Sequence, residues 1–365
     1  MAGFRTSAMA TAGKGARRVL LCGYYGEHNL GDDALLQVLV GQIPTSCRLL
    51  ITAYDQRLVS ELVPSSKTVQ RRSLRSVLKA VATSDVLILG GGSLLQDSTS
   101  FRSLLYYLTL IVISRVCNTK VLLWGQGLGP LNRVVSRWLV QMVLPLTTAI
   151  SWRDLVSYQQ ACRWQRSVPM VWGPDPVWCH PGRQWIGGGD VVVCWRPTER
   201  LDDEGWTVLI TALSRLQSRT GVTIHWLAFH ADQDRLLPDQ LQTLDAFTKQ
   251  LKEASTFSTC QTIDQALDIF SKARLVIPMR LHALILAQLA GAPCSALSYD
   301  PKVKAAASMV MASCLDLGNQ LTVDQCLLAW SEQFDHPADP SKILTIQSRS
   351  RVHADILLDE LKCVD

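Results

Sequence analysis

The chain reads as an α/β protein of two doubly wound domains, with mostly parallel sheets facing one another across a cleft. Three observations predict this. Short apolar runs alternate with helical patterns along nearly the whole chain. Glycines collect at the carboxyl ends of those runs, the usual placement in an open parallel sheet. At 365 residues, the chain also exceeds the common size of a single domain.

Taken in order, Arg18–Gly23 is the first strand, followed by a glycine-rich turn and a helix over Asp33–Val40. Leu49–Ala53 is the second strand, and Ser84–Leu89 is another, ending in Gly90-Gly91-Gly92-Ser93. Lys120–Trp124 ends in GQGLGP, and Thr148–Trp152 ends at Arg153-Asp154. The apolar stretch Leu104–Val116 is too short, and too interrupted by Ser114 and Arg115, to span a bilayer. It reads as a buried helix or as a surface resting on a membrane. Residues 173–189 are rich in Gly and Pro and break the rhythm, so an N-terminal domain covers 18–175 and a linker 176–189. The rhythm resumes with a strand at Asp190–Cys194, a helix at Trp206–Gln217 and a strand at Thr223–Ala228. Helices at 239–252 and 264–272, a strand at Ala273–Ile277, a helix at 281–290 and a strand at Pro293–Leu297 complete a C-terminal domain over 190–338. A helical tail occupies 339–365. Residues 1–17 are small, basic and free of acids; they read as a disordered leader without the apolar core of a secretory signal, and Met9 is an alternative start.

Nearly half the residues are apolar and charges are sparse, which excludes extensive disorder. The net charge of +5 suits anionic small molecules or a loose hold on a membrane surface, and no basic block is dense enough for nucleic acid. Eleven cysteines with no CxxC pair argue for reduced thiols in a cytosolic protein.

The stretch Ile277-Pro278-Met279-Arg280-Leu281-His282-Ala283-Leu284-Ile285 carries the strongest chemical signal. It sets an arginine and a histidine two residues apart where an apolar strand hands over to an apolar helix. That turn lies at the carboxyl edge of a sheet, where α/β domains bind ligands. Lys302, in Ser298-Tyr299-Asp300-Pro301-Lys302, follows the next strand and falls on the same edge. Arg280, Lys302 and His282 together make a compact cationic pocket: a bidentate fork, a point charge and a titratable ring. A capping Arg and a packed His are the plainer alternative.

Other loops are more ambiguous. In Gly23-Tyr24-Tyr25-Gly26-Glu27-His28-Asn29-Leu30-Gly31-Asp32-Asp33 the spacing is not GxGxxG, which disfavours dinucleotide binding. Asn29 and Asp32 could bind a hydroxyl-rich substrate, or Asp32 or Asp33 could cap the helix. Gly90-Gly91-Gly92-Ser93 lacks the GK[ST] of a P-loop. It offers either a ligand cradle or a sterically tight turn. Arg153 reaches the cleft or pairs locally with Asp154. The polar run His230–Asp234 is a solvated loop or an incomplete metal site. No GxSxG, HExxH or Cys–His pattern supports a hydrolase.

The order GYYGxxNxGDxA, GGGSLLQDxTSxRSLLYY, QGxGP, a strand ending in RD, a DPV segment, MRLHALI and SYDPKV resembles the polysaccharide pyruvyl transferase family, particularly its cell-surface-anchoring (CsaB) type. The likeness runs from about Val19 to about Val310. It implies a GT-B-like pair of Rossmann-like domains and a reaction that builds a pyruvate ketal on two sugar hydroxyls from phosphoenolpyruvate, releasing phosphate. In that type the acceptor is usually N-acetylmannosamine in a lipid-linked precursor of a wall polysaccharide, which serves S-layer anchoring. His282 matches the family's proton donor. Arg280 and Lys302, with Leu281 between the fork and the ring, would hold phosphoenolpyruvate, and Arg153 would reach across from the other domain. Asn29, Gly31, Asp32, Gly91, Gly92 and Ser93 would take the acceptor side, and Asp234 stands where relatives often keep an acid. The resemblance implies no metal and no cofactor, phosphoenolpyruvate being a donor substrate. It implies a cytoplasmic enzyme, peripheral at the inner face of the plasma membrane, that meets its acceptor there and could assemble as a homo-oligomer.

Three departures stand out: Gly173-Pro174-Asp175-Pro176-Val177-Trp178 where the family commonly reads ADPVF, Cys194-Trp195-Arg196 where an Arg often follows SV, and Pro278 in place of Gly. They leave the ketal chemistry alone and bear on the acceptor, as does the high tryptophan count, which suits a different glycan. The alternatives are a nucleotide-sugar glycosyltransferase on the same fold and a catalytically silent glycan-binding protein.

Overall fold

The computed structural model describes residues 16–362, so the expected leader lies almost wholly outside the described residues. Seven parallel strands form the first sheet: β1 (Arg18–Cys22), β2 (Arg48–Ala53), β3 (Lys67–Gln70), β4 (Val86–Leu95), β5 (Lys120–Leu128), β6 (Ala149–Trp152) and β7 (Met170–Trp172). Their spatial order is β3-β2-β1-β4-β5-β6-β7. A second parallel sheet orders β8 (Val191–Cys194), β9 (Ile224–Ala228), β10 (Ser255–Thr259) and β11 (Leu275–Pro278) as β10-β9-β8-β11. The pair β12 (Ser295–Ser298) and β13 (Ser313–Asp316) follows beside β11. Each sheet reverses its winding once, between β1 and β4 and between β8 and β11. A doubly wound sheet opens its ligand crevice at such a reversal, because the loops on either side of it leave in opposite directions.

Strands such as VLL in β1 and VVVC in β8 are wholly buried, which is why apolar runs rather than alternation mark them. Helices Leu74–Ala82, Phe101–Val116, Val134–Val143 and Leu155–Trp164 share one buried cluster on one face of the first sheet. The helix Leu30–Gln42 and the carboxyl-terminal helix Val352–Leu361 contribute to the cluster on the other.

Several boundaries differ from the sequence reading. β4 runs on through Gly90–Ser93 and β5 through Gly125–Leu128, so these glycines lie within strands and do not form turns after them. Gly90 and Gly91 are required by packing: a Cβ at Gly90 would overlap the Tyr25 hydroxyl, and one at Gly91 would lie 2.8 Å from Leu35. The first long helix starts at Leu30, not Asp33, because Asn29 is its cap and accepts from Gly31 N at 3.1 Å. The helix expected over 239–252 is two short ones, Leu237–Leu241 and Lys249–Glu253. The strands β3, β7, β10 and β13 are short, and only β13 is not an edge of the first or second sheet; their half-exposed residues give weak periodicity. The tryptophans are chiefly core. Trp195 packs against Trp206, Trp226 and Trp330, and Trp138 is the one exposed tryptophan among the described residues.

The helix Pro340–Ser350 packs on the turn Pro176–Cys179, and Val352–Leu361 returns to the first sheet. There the buried His353 imidazole bonds the Pro174 carbonyl through Nε2 at 2.8 Å. Burial pushes this imidazole down to about 4, against the opposing hydrogen bond to Pro174. Because the folded value lies below the ordinary 6.5, the neutral ring's contribution to stability is complete above pH 6.5 and is lost as pH falls towards 4. Lowering the folded value from 6.5 to about 4 corresponds to about 3 kcal/mol. Chemical denaturation followed between these pH values should therefore show a fall in stability of that order in the wild type and a distinctly smaller one in His353→Gln.

Candidate active site

Loops at the carboxyl ends of the first and second sheets touch. Leu30 N donates to Phe229 O at 2.9 Å and Ala231 N to His28 O at 3.0 Å, which joins the loop after β1 to the loop after β9. Beside this contact lies a cavity of about 200 Å³. Asn29, Gly31, Asp32, Gly92, Ser93 and Arg153 line it from the first sheet, Arg280, Leu281 and His282 from the second, and Lys302 from the segment after β12, with Tyr299 and Asp300 alongside. Ten of the twelve residues singled out from the sequence thus meet in one place.

The exceptions are informative. Gly91 packs on Leu35 and does not line this cavity. Asp234 stands behind Arg280: both its oxygens take the guanidinium, Nε to Oδ2 at 3.1 Å and Nη2 to Oδ1, while Oδ2 also accepts from His230 N at 2.9 Å. Its geometry is that of a positioning residue for the arginine. Asp234 also walls a larger cavity of about 410 Å³ in the C-terminal half, lined largely by apolar and aromatic groups such as Trp195, Trp226 and Phe257. Volume does not decide between the two; the smaller cavity is where cations, an imidazole and carboxylates converge.

Each cation is held from a strand end. Arg153, just past β6, donates Nη1 to Asp175 Oδ2 at 3.0 Å and Nη2 to Ser93 Oγ at 3.1 Å. Lys302 lies in the first turn of the helix Pro301–Val310, capped by Asp300, and donates Nζ to the same Ser93 Oγ at 3.0 Å. One hydroxyl therefore draws together two positive groups from opposite sides of the cavity. Burial, and the Arg153 charge next to it, hold the Lys302 ammonium below its usual range. Such a pair lowers its energy by taking an anion.

His282 sits in the first turn of the helix Leu281–Leu289 with Nε2 3.6 Å from Asp175 Oδ2, within ion-pair reach but long for a hydrogen bond. That nitrogen is buried and has no hydrogen-bond partner. Nδ1 lies against Gly31, where any Cβ would collide with the ring. Gly31 is thus a steric requirement of the histidine, not a flexible hinge.

Asp175 is the site residue that sequence reasoning missed. It follows β7, lies buried at 6% exposure, and caps the short turn Pro176–Cys179 through Val177 N at 3.0 Å. Burial alone would push its carboxyl up; His282 and Arg153 outweigh that and hold it well below the usual carboxylate range. Its signal was the Asp-Pro in the DPV segment one strand beyond Arg153. Opposite, Asp32 accepts from Asn29 Nδ2 at 2.6 Å, and enclosure raises its carboxyl against the pull of His282 and Arg153.

The comparisons with known proteins agree with this architecture. The chain is similar in fold to the UDP-GlcNAc 2-epimerase of Neisseria meningitidis solved with UDP-GlcNAc, at 10% identity over 94% of this chain and 100% of that one, TM-score 0.62. The Methanocaldococcus jannaschii UDP-GlcNAc 2-epimerase is similar at 10% identity, over 94% and 99% of the two chains, with TM-score 0.61. A glycosyltransferase from Rickettsia africae follows at 11% identity, 95% and 98% coverage and TM-score 0.58. Likeness at these identities concerns the fold, which is the two-domain GT-B type. No curated protein sequence matches. The family model for polysaccharide pyruvyl transferases, however, matches residues 29–301, from the Asn29 cap through Arg280 and His282 to the start of the helix that carries Lys302. With most of its length and nearly all of its cavity inside that match, the chain belongs to the polysaccharide pyruvyl transferase family.

Proposed function

We propose that the cavity binds phosphoenolpyruvate and transfers its three-carbon unit to two hydroxyls of a glycan. The observation that carries this reading is the convergence of Arg153, Lys302 and Arg280 around one imidazole whose Nε2 has no hydrogen-bond partner. Phosphoenolpyruvate has two anionic groups for these cations and a methylene carbon that must be protonated. His282 gives its proton to that carbon, leaving positive charge on the carbon that bears the phosphate. One sugar hydroxyl bonds there and loses its proton. The bond from that carbon to the phosphate oxygen then breaks, inorganic phosphate leaves on the Arg153–Lys302 side, and the second hydroxyl closes the ketal with loss of its own proton. The fixed cations act chiefly by preorganised electrostatics. Asn29 and Asp32, on the opposite wall, suit an acceptor's hydroxyls. The acceptor we favour is N-acetylmannosamine in a lipid-linked wall precursor of the cell-surface-anchoring type, met at the inner face of the plasma membrane.

Phosphate release from phosphoenolpyruvate, measured with and without a β-linked N-acetylmannosaminyl acceptor, tests this directly. Acceptor-dependent release, with a pyruvate ketal in the product by mass spectrometry, is expected. Turnover of a UDP-sugar with no need for phosphoenolpyruvate would replace this reading by the glycosyltransferase one. The larger aromatic cavity at the carboxyl ends of β8–β10 favours that second reading, as do the UDP-sugar complex and the glycosyltransferase among the similar folds.

A further inference from the structure

We infer that the outer face of the helices covering one side of the first sheet is a docking surface for an anionic lipid bilayer. This stands apart from which donor the cleft takes.

The helices Leu74–Ala82, Phe101–Val116, Val134–Val143 and Leu155–Trp164 contain no aspartate or glutamate, in a chain with 31 acids. Between Asp97 and Asp154 the sequence has no acid at all. Both of these flanking carboxylates are engaged with backbone N–H groups at helix starts, Asp97 with Arg133 N and Asp154 with Ser157 N. Several helices elsewhere are acidic in their first turns, as at Asp32 and Asp33 or Asp203 and Glu204. The outer face of these four helices is instead basic. Arg102, Arg115 and Arg163, with Arg166 just beyond the last helix, are exposed and form no ion pair among the described residues.

The same face is apolar where a soluble surface would be polar. Val134 is 71% exposed, Trp138 58% and Met142 59%; spaced four residues apart, they form a stripe along one side of their helix, with Val135 beside it. Val112 and Val116 add to it from the neighbouring helix, opposite the side that packs Tyr107 and Ile111 on the sheet. An exposed tryptophan among aliphatic groups and unpaired arginines has the composition that partitions into a headgroup layer. A second copy of the chain fits less well, because a two-fold contact would set this acid-free face against itself.

The stripe also begins at the cleft. Its helix starts where Asp97, two residues past the end of β4, takes Asn132 N at 2.7 Å and Arg133 N at 2.9 Å. β4 carries Gly92 and Ser93 to the cavity. A bilayer against this face would therefore lie beside the cavity mouth.

The test is co-sedimentation with vesicles of phosphatidylcholine alone and of equal parts phosphatidylcholine and phosphatidylglycerol, using the full chain. The wild type should bind the anionic vesicles, release in high salt, and bind the neutral ones weakly. Trp138→Glu should bind about tenfold more weakly, and Arg102→Gln with Arg163→Gln a few-fold to about twentyfold more weakly. These positions are exposed, so melting temperatures should be unchanged. Equal binding by wild type and variants overturns the proposal, as does absence of binding. A wild-type dimer that Trp138→Glu converts to monomer would assign the face to a second copy and overturn it too.

Discussion

Replacing His282 by alanine is expected to lower kcat for phosphate release by about 10²–10⁴-fold, the usual worth of a positioned general acid. The expectation rests on a partly buried imidazole whose enclosed Nε2 has no hydrogen-bond partner and which is held on its other side by the absence of a side chain at Gly31. Arg153 and Lys302 remain tied through Ser93 without it, so binding of inorganic phosphate should stay within a few-fold of the wild type. Added imidazole should restore part of the lost rate, because the vacated space lies in the cavity that admits the substrate. A variant that keeps most of its turnover, or one that imidazole leaves unchanged while phosphate binding collapses, would remove the histidine as proton donor.

The second large effect is expected at Asp175. Asparagine keeps the shape and the cap on Val177 but removes the charge that faces both Arg153 and His282. Arg153 is itself only 9% exposed, so the change strands a buried cation beside Lys302. Breaking such a pair costs about 3–5 kcal/mol. Asp175→Asn should melt well below the wild type and lose most of its activity. Inorganic phosphate should raise its melting temperature more than it raises that of the wild type, since the anion supplies the missing charge. An unchanged melting temperature would show that the bridge carries little, and a lower one without the phosphate response would show a packing role instead of an electrostatic one.

The family match widens the meaning of both experiments. Belonging to the polysaccharide pyruvyl transferases identifies the chain as a transferase, whereas donor, proton donor and acceptor are the quantities these variants address. Asp234 makes the contrast clear. The resemblance places an acid in that loop, and in the structure both its oxygens are engaged with Arg280, behind the guanidinium. Its removal should disturb the orientation of Arg280 more than any proton transfer.

Much of this molecule is legible in the residue order. Buried parallel strands are continuous apolar runs, so Val19–Cys22, Leu87–Leu89 and Val191–Cys194 announce themselves, and the residues just past them are placed at a sheet edge by connectivity alone. That is why Arg153, Arg280, His282 and Lys302 could be named together. What the order could not convey depends on atoms that approach from distant segments. Gly91 serves Leu35, and Gly31 serves a histidine about 250 residues later. Asp175 joins the site only because β7 lies beside β6, and the acid-free helices become one surface only when the sheet sets them side by side. Local periodicity and strand ends are written in the sequence because they follow from neighbouring residues. Which carboxylate meets which cation, and which apolar side chains are left facing outward, is decided by packing across the sheets, where distance along the chain gives no guide.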